Sequence, residues 1–402
     1  MTYFATVEEL RIEAKRRVPK MFYDYVDAGS WTESTYRANS DDFAKLHFRQ
    51  RVAVDFSHRN LATTMAGTPV TMPVALAPTG LTGMQHADGE ILAARAAERF
   101  GVPFTLSTMS ICSIEDVAGA TTRPFWFQLY MMRDRGFIAS LIKRAEAAGC
   151  SALVLTLDLQ IQGQRHKDRK NGLSAPPKLT PRNLVNMMSR PRWCAGMLGT
   201  TRRTFGNIVG HAPGVTGIAS MADWATDQFD ATLTWKDVEW VRRLWKGKLI
   251  VKGILDPEDA LMAARCGADA LVVSNHGGRQ LDGALSTICA LPHIADAVRG
   301  EMEVHMDGGI RSGQDVLKAL ACGASAVYIG RAFLYGLGAQ GEAGVTRCLE
   351  IIRSELDLTM ALCGITDVRR VDCRALTSGG HLHAPATAAQ PQTERLAAVQ
   401  AA

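Results

Sequence analysis

The sequence predicts an α/β fold: an eight-stranded (β/α)8 barrel of the TIM type, with an N-terminal helical segment and a long basic insertion after the fourth strand. Three observations predict it. Short apolar, β-branched runs alternate with helical patterns, so the strands are covered on both faces, as in a parallel sheet. A motif also repeats. Gly149-Cys150-Ser151-Ala152-Leu153-Val154-Leu155-Thr156 is echoed from Gly267 to Ser274 and from Gly323 to Gly330, and more loosely from Gly101 to Ser107. In the full copies the Gly ends an Ala-rich helical pattern, as a C-terminal cap does, and a small or hydroxylated residue ends the strand that follows. Finally, polar residues recur at many strand ends: Thr79, Ser107, Gln128, Thr156, Lys252, His276, Asp307 and Arg331. A barrel gathers all its strand ends on one face, whereas an open doubly wound sheet concentrates them at one switch point.

In chain order, Thr6-Val7-Glu8-Glu9 has the spacing of a capping box and opens a helix. Residues 1–70 are expected to form a helical segment packed on the barrel that delivers Tyr23 or Tyr25. The barrel is expected over 71–375, with strands at 74–77, 125–129, 249–252, 270–273 and 304–306 and in the motif copies that end at Ser107, Thr156 and Gly330. Asp256-Pro257 supplies an N-cap followed by Pro at the first helical position. Residues of about 169–230 form an excursion, and 376–402 turn to Ala, Pro, Gln and Thr, a weakly ordered tail.

Composition limits the function classes. The 402 residues are 47% hydrophobic and 21% charged, the balance of a globular chain with a sizeable core. Nine cysteines without a Cys-x-x-Cys pair argue for reduced thiols in a cytosolic setting and against a zinc site or disulfide framework. The N-terminus shows no secretory signal and no apolar run reaches the length of a membrane span. The net charge of +5 is uneven, because no acidic residue lies between Asp168 and Asp223 while eight Lys and Arg do. The rest of the chain therefore carries about −3.

The chemistry-bearing residues follow the strands. Ser274-Asn275-His276-Gly277-Gly278-Arg279-Gln280-Leu281-Asp282-Gly283 places a proton acceptor beside a guanidinium where a strand breaks into a turn. Its plain alternative is a glycine turn around a hydrogen-bonded His. Asp307-Gly308-Gly309-Ile310-Arg311 and Gly330-Arg331 follow the last two strands, the loops where barrels bind a phosphate through backbone amides and a cation. No Gly-x-Gly-x-x-Gly follows an N-terminal strand, which argues against a nicotinamide dinucleotide. Lys252, inside an apolar strand, is open to three readings: a Schiff-base nucleophile, a charge beneath a bound ring, or a snorkelling side chain. Asp158 can orient a His or cap a turn, and Arg165 can clamp a carboxylate with Arg279 or pair with Asp168. Tyr25 and Tyr130 taken singly read as packing residues.

The strings Ser-Asn-His-Gly-Gly-Arg-Gln-Leu-Asp, Asp-Gly-Gly-Ile-Arg-Ser-Gly, Phe-Gln-Leu-Tyr and Met-Pro-Val-Ala-Leu-Ala-Pro-Thr-Gly resemble the FMN-dependent L-2-hydroxy acid dehydrogenases and oxidases over about residues 6 to 370. Within that family, 104–108, 133–137, 252–260 and 330–335 look most like the bacterial respiratory L-lactate dehydrogenases. The resemblance implies an FMN cofactor over the barrel mouth, oxidation of L-lactate or a related 2-hydroxy acid, and electron transfer to membrane quinone. L-mandelate dehydrogenase, an oxygen-using oxidase and, more remotely, a phosphate-binding barrel lyase are the alternatives. It implies that His276 is the catalytic base with Asp158 as its carboxylate partner. Arg165, Arg279, Tyr25 and Tyr130 would bind substrate. Pro78, Thr79, Gly80, Ser107, Gln128, Thr156, Lys252, Ser274, Asp307, Gly308, Gly309, Arg311, Gly330 and Arg331 would bind the cofactor, and a homotetramer is expected by analogy. Two positions depart from the glycolate oxidase pattern, with Met109 in place of a pocket Trp and Gly80 in place of Ala.

The acid-free stretch interleaves its cations with Leu184, Met187, Met188, Trp193, Met197 and Leu198. That mixture suits an anionic membrane surface, so a cytoplasmic protein held peripherally on the inner face of the cell membrane is expected. A lid whose apolar residues pack on the barrel is the alternative. No nucleic-acid-binding motif is present.

Overall fold

The computed structural model describes residues 3–173, 180–217, 228 and 230–377. The eight expected strands form one parallel sheet: β3 (Val74–Leu76), β4 (Thr105–Ser107), β5 (Trp126–Tyr130), β6 (Ala152–Thr156), β7 (Lys248–Ile254), β8 (Ala270–Val273), β9 (Glu303–Met306) and β10 (Ala326–Ile329). β10 pairs with β3, and a parallel bridge from Leu76 to Phe104 closes the ring. The glycines predicted to end the preceding helices do so in the left-handed region, with φ of 83° at Gly101, 72° at Gly149, 76° at Gly267 and 107° at Gly323.

The helices, in chain order, begin with α1 (Val7–Arg17), α2 (Lys20–Val26) and α3 (Ser34–Asp41). On the barrel they are α4 (Gly89–Phe100), α5 (Ile114–Ala118) and α6 (Arg135–Ala147), then α7 (His166–Lys170), α8 (Pro181–Met188) and α9 (Pro191–Gly199) in the excursion. The second half adds α10 (Trp235–Leu244), α11 (Pro257–Arg265), α12 (Thr287–Ala297), α13 (Gly313–Ala321) and α14 (Arg331–Leu362). Thr6 caps α1 by accepting from the Glu9 amide, while the Glu9 carboxylate reaches the Ala5 amide rather than that of Thr6. Asp256 caps α11 as expected, with Pro257 at its first turn.

Strand alternation divides the core in two. Leu153, Leu155, Val251, Leu271 and Val273 point outward to the helices. Ala75, Trp126, Ala152, Val154, Ile250, Val272 and Tyr328 point inward and fill the barrel. The inner residues are mostly small, and Trp126 against Tyr328, with ring centroids 6.0 Å apart, takes up the remaining volume.

Three boundaries need correction. The segment before residue 71 is not wholly helical, because a hairpin, β1 (Thr63–Met65) with β2 (Thr68–Val70), buries Met65, Ala66 and Val70 in the inner core as a floor to the barrel. Its turn is Ala66-Gly67, both at positive φ. The excursion holds two helices over 181–199 and is a loop over 200–217, while its residues 174–179, 218–227 and 229 lie outside the described part. Leu376 belongs to the folded body through a bridge to Phe48, and the tail expectation otherwise falls on 378–402, outside the described residues.

Candidate active site

Continuing the inward register by one step explains the floor of the site. Ser107, Gln128, Thr156, Lys252, Ser274 and Asp307 each stand two residues beyond an inward-facing position, at the C-terminal mouth of the barrel, and all are buried. Lys252 donates to Ser274 Oγ at 2.7 Å and lies 3.0 Å from Asp307. Burial alone would pull its pKa down, but Asp307 and Asp158 outweigh it and hold the ammonium charged. An amine paired with a carboxylate is poorly set up as a Schiff-base nucleophile, which argues against the lyase reading.

Above that floor lies a cavity of about 700 Å³ lined by fifteen of the twenty residues singled out from the sequence. These are Tyr25, Pro78, Thr79, Gly80, Tyr130, Arg165, Lys252, His276, Arg279, Asp307, Gly308, Gly309, Arg311, Gly330 and Arg331. Asp158, Ser107, Gln128, Thr156 and Ser274 stand behind the lining. The walls hold six cationic side chains (Arg203 is the sixth) against two carboxylates, Asp168 and Asp307. Such a surplus in a partly enclosed space selects anions.

His276 sits at φ 57°, held there by its amide donating to Ser274 Oγ at 3.1 Å. Its Nδ1 is 2.9 Å from Asp158 Oδ1, and its ring lies over Tyr130. Burial lowers the imidazole pKa, and Asp158 only partly offsets this, so Nε2 is a neutral proton acceptor at pH 7. The Asp158 carboxylate, which burial would push up, is held low by His276 and Lys252. Asp158 therefore serves the His and caps no turn.

Arg165 is 3.7 Å from Asp168, and it also lines the cavity with its Nε unbonded. Arg279 donates to the carbonyls of Tyr25 and Ala28, stacks 4.6 Å from the Tyr25 ring, and leaves Nη2 buried without a partner. Burial and then Arg165 depress its pKa to about 10. Two buried guanidiniums that repel one another, each with an unused donor, would be completed by a shared carboxylate.

Arg331 departs from expectation. Its three nitrogens donate to the carbonyls of Val26, Gly277 and Ala28, so three of its five N–H groups tie the N-terminal segment to the barrel and two are left for a ligand. Arg311 is the freer cation: among the described residues its guanidinium hydrogen-bonds only the carbonyl of its neighbour Ile310, with the Tyr335 ring 5.8 Å away. Gly308 and Gly309 are at φ 92° and 82°, and a Cβ on Gly309 would lie 1.9 Å from the Asn39 carbonyl oxygen. The loop can therefore be no bulkier.

The residues fit a flavin mononucleotide. Gln128 Nε2, Thr156 Oγ1 and Asp307 Oδ1 are buried at the mouth without partners, as needed to meet the amide-like edge of a flat ring. The glycine loop and Arg311 stand where the phosphate would go.

The sequence reading missed several residues. Gly253, at φ 105° in a bulge of β7, leaves room for Asp158, since a Cβ there would come within 2.8 Å of the Asp158 Cβ and Cγ. Its signal was a glycine inside a strand pattern. Asn39 and Asn275 exchange amide hydrogen bonds of 2.9 and 2.8 Å and fix the turn carrying His276. Phe22, Met84, Met187 and Phe205 add an apolar wall beside the expected Met109, and they come from segments too distant in sequence to be grouped by spacing. Tyr25 rather than Tyr23 faces the cavity, Tyr23 bonding instead to Asp27. In the excursion, Met187, Trp193 and Met197 pack inward, whereas Leu184, Met188 and Leu198 are exposed. Arg202 is neutralised by Asp88 and Asp116.

Residues 14–378 match the family model described as FMN-dependent dehydrogenase. An L-lactate dehydrogenase of Caulobacter vibrioides is 47% identical over 370 residues, 92% of this chain and 96% of its own. An L-lactate dehydrogenase of Pseudomonas aeruginosa is 46% identical, covering 92% of this chain and 97% of its own. Among solved structures, the monotopic membrane protein (S)-mandelate dehydrogenase superposes with a TM-score of 0.89 at 36% identity, covering 94% of this chain and 100% of its own. A mandelate oxidase variant superposes with a TM-score of 0.79 at 35% identity, covering 93% and 98%.

Proposed function

The chain belongs to the FMN-dependent dehydrogenase family, and from that premise we propose that its barrel mouth oxidises L-lactate to pyruvate and that its electrons pass to a membrane quinone. It is an FMN-dependent 2-hydroxy acid oxidoreductase. The choice of L-lactate rests on its L-lactate dehydrogenase relatives.

In this reading Arg165 and Arg279 clamp the substrate carboxylate, with the hydroxyls of Tyr25 and Tyr130 beside it. The neutral Nε2 of His276 takes one of the two protons that the hydroxy acid loses, and Asp158 stabilises the imidazolium that results. Bound FMN would supply the acceptor for the two electrons and the other proton. Lys252, kept charged by Asp307, offsets negative charge arriving above it. The observation that carries the proposal is the His276–Asp158 pair opening onto the cavity that also holds the two incompletely bonded guanidiniums.

A second substrate reading, L-mandelate, is favoured by the apolar wall of Met109, Met187 and Phe205, which can adapt to a ring. Anaerobic mixing of the yellow protein with L-lactate, L-mandelate and glycolate tests both. Loss of visible flavin absorbance is expected fastest with L-lactate; no bleaching by any of the three would refute the activity.

The quinone acceptor and an anionic membrane surface are supported by the exposed Leu184, Val185, Met188 and Leu198, set among cations on α8 and α9. Among the described residues no helix is long and apolar enough to cross a membrane. Quinone reduction without stoichiometric peroxide is the expected result under air.

A further inference from the structure

A second cleft, of about 460 Å³, lies outside the catalytic cavity, between the end of α1, the start of α9 and a break in α14. Its walls carry Arg16, Arg17, Arg190 and Arg192. Glu13 pairs with Arg16 and Arg17, but among the described residues neither Arg190 nor Arg192 makes an ion pair, and Arg190 Nε is buried without a hydrogen bond. Four guanidiniums against one carboxylate leave a strong positive excess, and guanidinium donors match the oxygens of a phosphate.

The cleft is built into the fold. Gln340 and Gly341 interrupt the helical geometry of α14, Gly341 at φ 62°, and a Cβ on Gly341 would come 3.1 Å from His86 Nε2 on the opposite wall. On the excursion side, Trp193 fixes α9 by stacking on Phe22 with centroids 5.5 Å apart and donating from Nε1 to the Met84 carbonyl at 2.9 Å. Phe22 and Met84 also line the catalytic cavity, so Trp193 is a partition between the two spaces.

The chemistry around the cleft narrows the ligand. α8 and α9, which flank Arg190, expose Leu184, Val185, Met188 and Leu198 at 54%, 67%, 67% and 76%. A free phosphate uses only the cations. A phosphate that carries acyl chains uses both the cations and these side chains. We propose that this cleft binds the headgroup phosphate of an anionic phospholipid, giving the peripheral membrane contact a defined docking point. The inference rests on the membrane reading given above and adds a particular site to it.

The test is co-sedimentation of the flavin-loaded protein with phosphatidylcholine vesicles, with and without phosphatidylglycerol, at about 0.15 M salt. Wild type is expected on the phosphatidylglycerol vesicles only. R190Q/R192Q should weaken binding by about 30-fold, from the usual contribution of a basic residue at an anionic surface. R169Q/K170Q removes the same charge from exposed α7, outside the cleft, and should weaken binding by less than about 3-fold. Equal losses in the two double variants would overturn the site and leave diffuse attraction. Absence of wild-type binding would overturn the membrane reading itself. Inorganic phosphate that displaces the protein from vesicles at millimolar levels would overturn the lipid assignment in favour of a free phosphate ligand. Flavin absorbance and melting temperature, unchanged in both variants, establish that the fold is kept.

Discussion

Asp158 does at the level of one side chain what the cavity does as a whole, holding a charge in a place that burial makes costly. Its carboxylate raises the His276 pKa against the stronger lowering by burial, so its removal has a definite sign. In wild type, kcat/KM should fall on acidification through a value below 6.5, where the imidazole takes up a proton and ceases to be a base. Asp158→Asn should move that acid limb to lower pH and cut kcat by about 10²- to 10⁴-fold, with FMN still bound. A pH–rate profile checks both parts, and an acid limb shifted upward would refute the assigned partnership. The place of Arg279 in the cavity was legible in the sequence because it follows His276 by three residues at a strand end. The division of labour between Arg311 and Arg331 was not legible. Whether a guanidinium is spent on carbonyls depends on where the N-terminal segment passes, and no local pattern encodes that.

Among the elements, the bulge in β7 shows how a backbone irregularity positions a catalytic group. Gly253→Ala would strain a residue at φ 105° and drive a methyl into Asp158. It should lower stability by about 1–3 kcal/mol and, by displacing the Asp158–His276 pair, lower kcat by about 10²-fold. Melting temperature and kcat read the two effects separately; a variant with wild-type kcat would show that the bulge is not needed for the geometry. All eight barrel strands were readable from apolar runs, four of them preceded by a capping glycine, since periodicity and chain punctuation are local properties. The β1–β2 hairpin escaped because Thr63–Met65 and Thr68–Val70 are too short to show alternation. The helices of the excursion escaped because their apolar residues divide between the barrel and the solvent, which blurs any single face.

At the scale of the molecule, the unpartnered buried groups at the barrel mouth mean that the fold is completed by its cofactor. FMN at a hundred times its dissociation constant should stabilise the protein by about 2.7 kcal/mol, a rise in melting temperature of about 3 °C. If Arg311→Ala weakens FMN binding tenfold, the same concentration should give roughly half that rise. Scanning calorimetry of the apoprotein titrated with FMN checks this, and an Arg311→Ala protein with an undiminished shift would remove Arg311 from the phosphate site. The carbonyls that orient the guanidiniums of Arg279 and Arg331 belong to Tyr25, Val26 and Ala28, across sequence separations of 254 and 305 residues. Ribosomes make the chain from its N-terminus, so Tyr25, Val26 and Ala28 leave the ribosome long before the arginines that they orient. A chain stalled before residue 331 lacks the arginine that ties Val26 and Ala28 to the barrel mouth, and its anion grip stays unfinished.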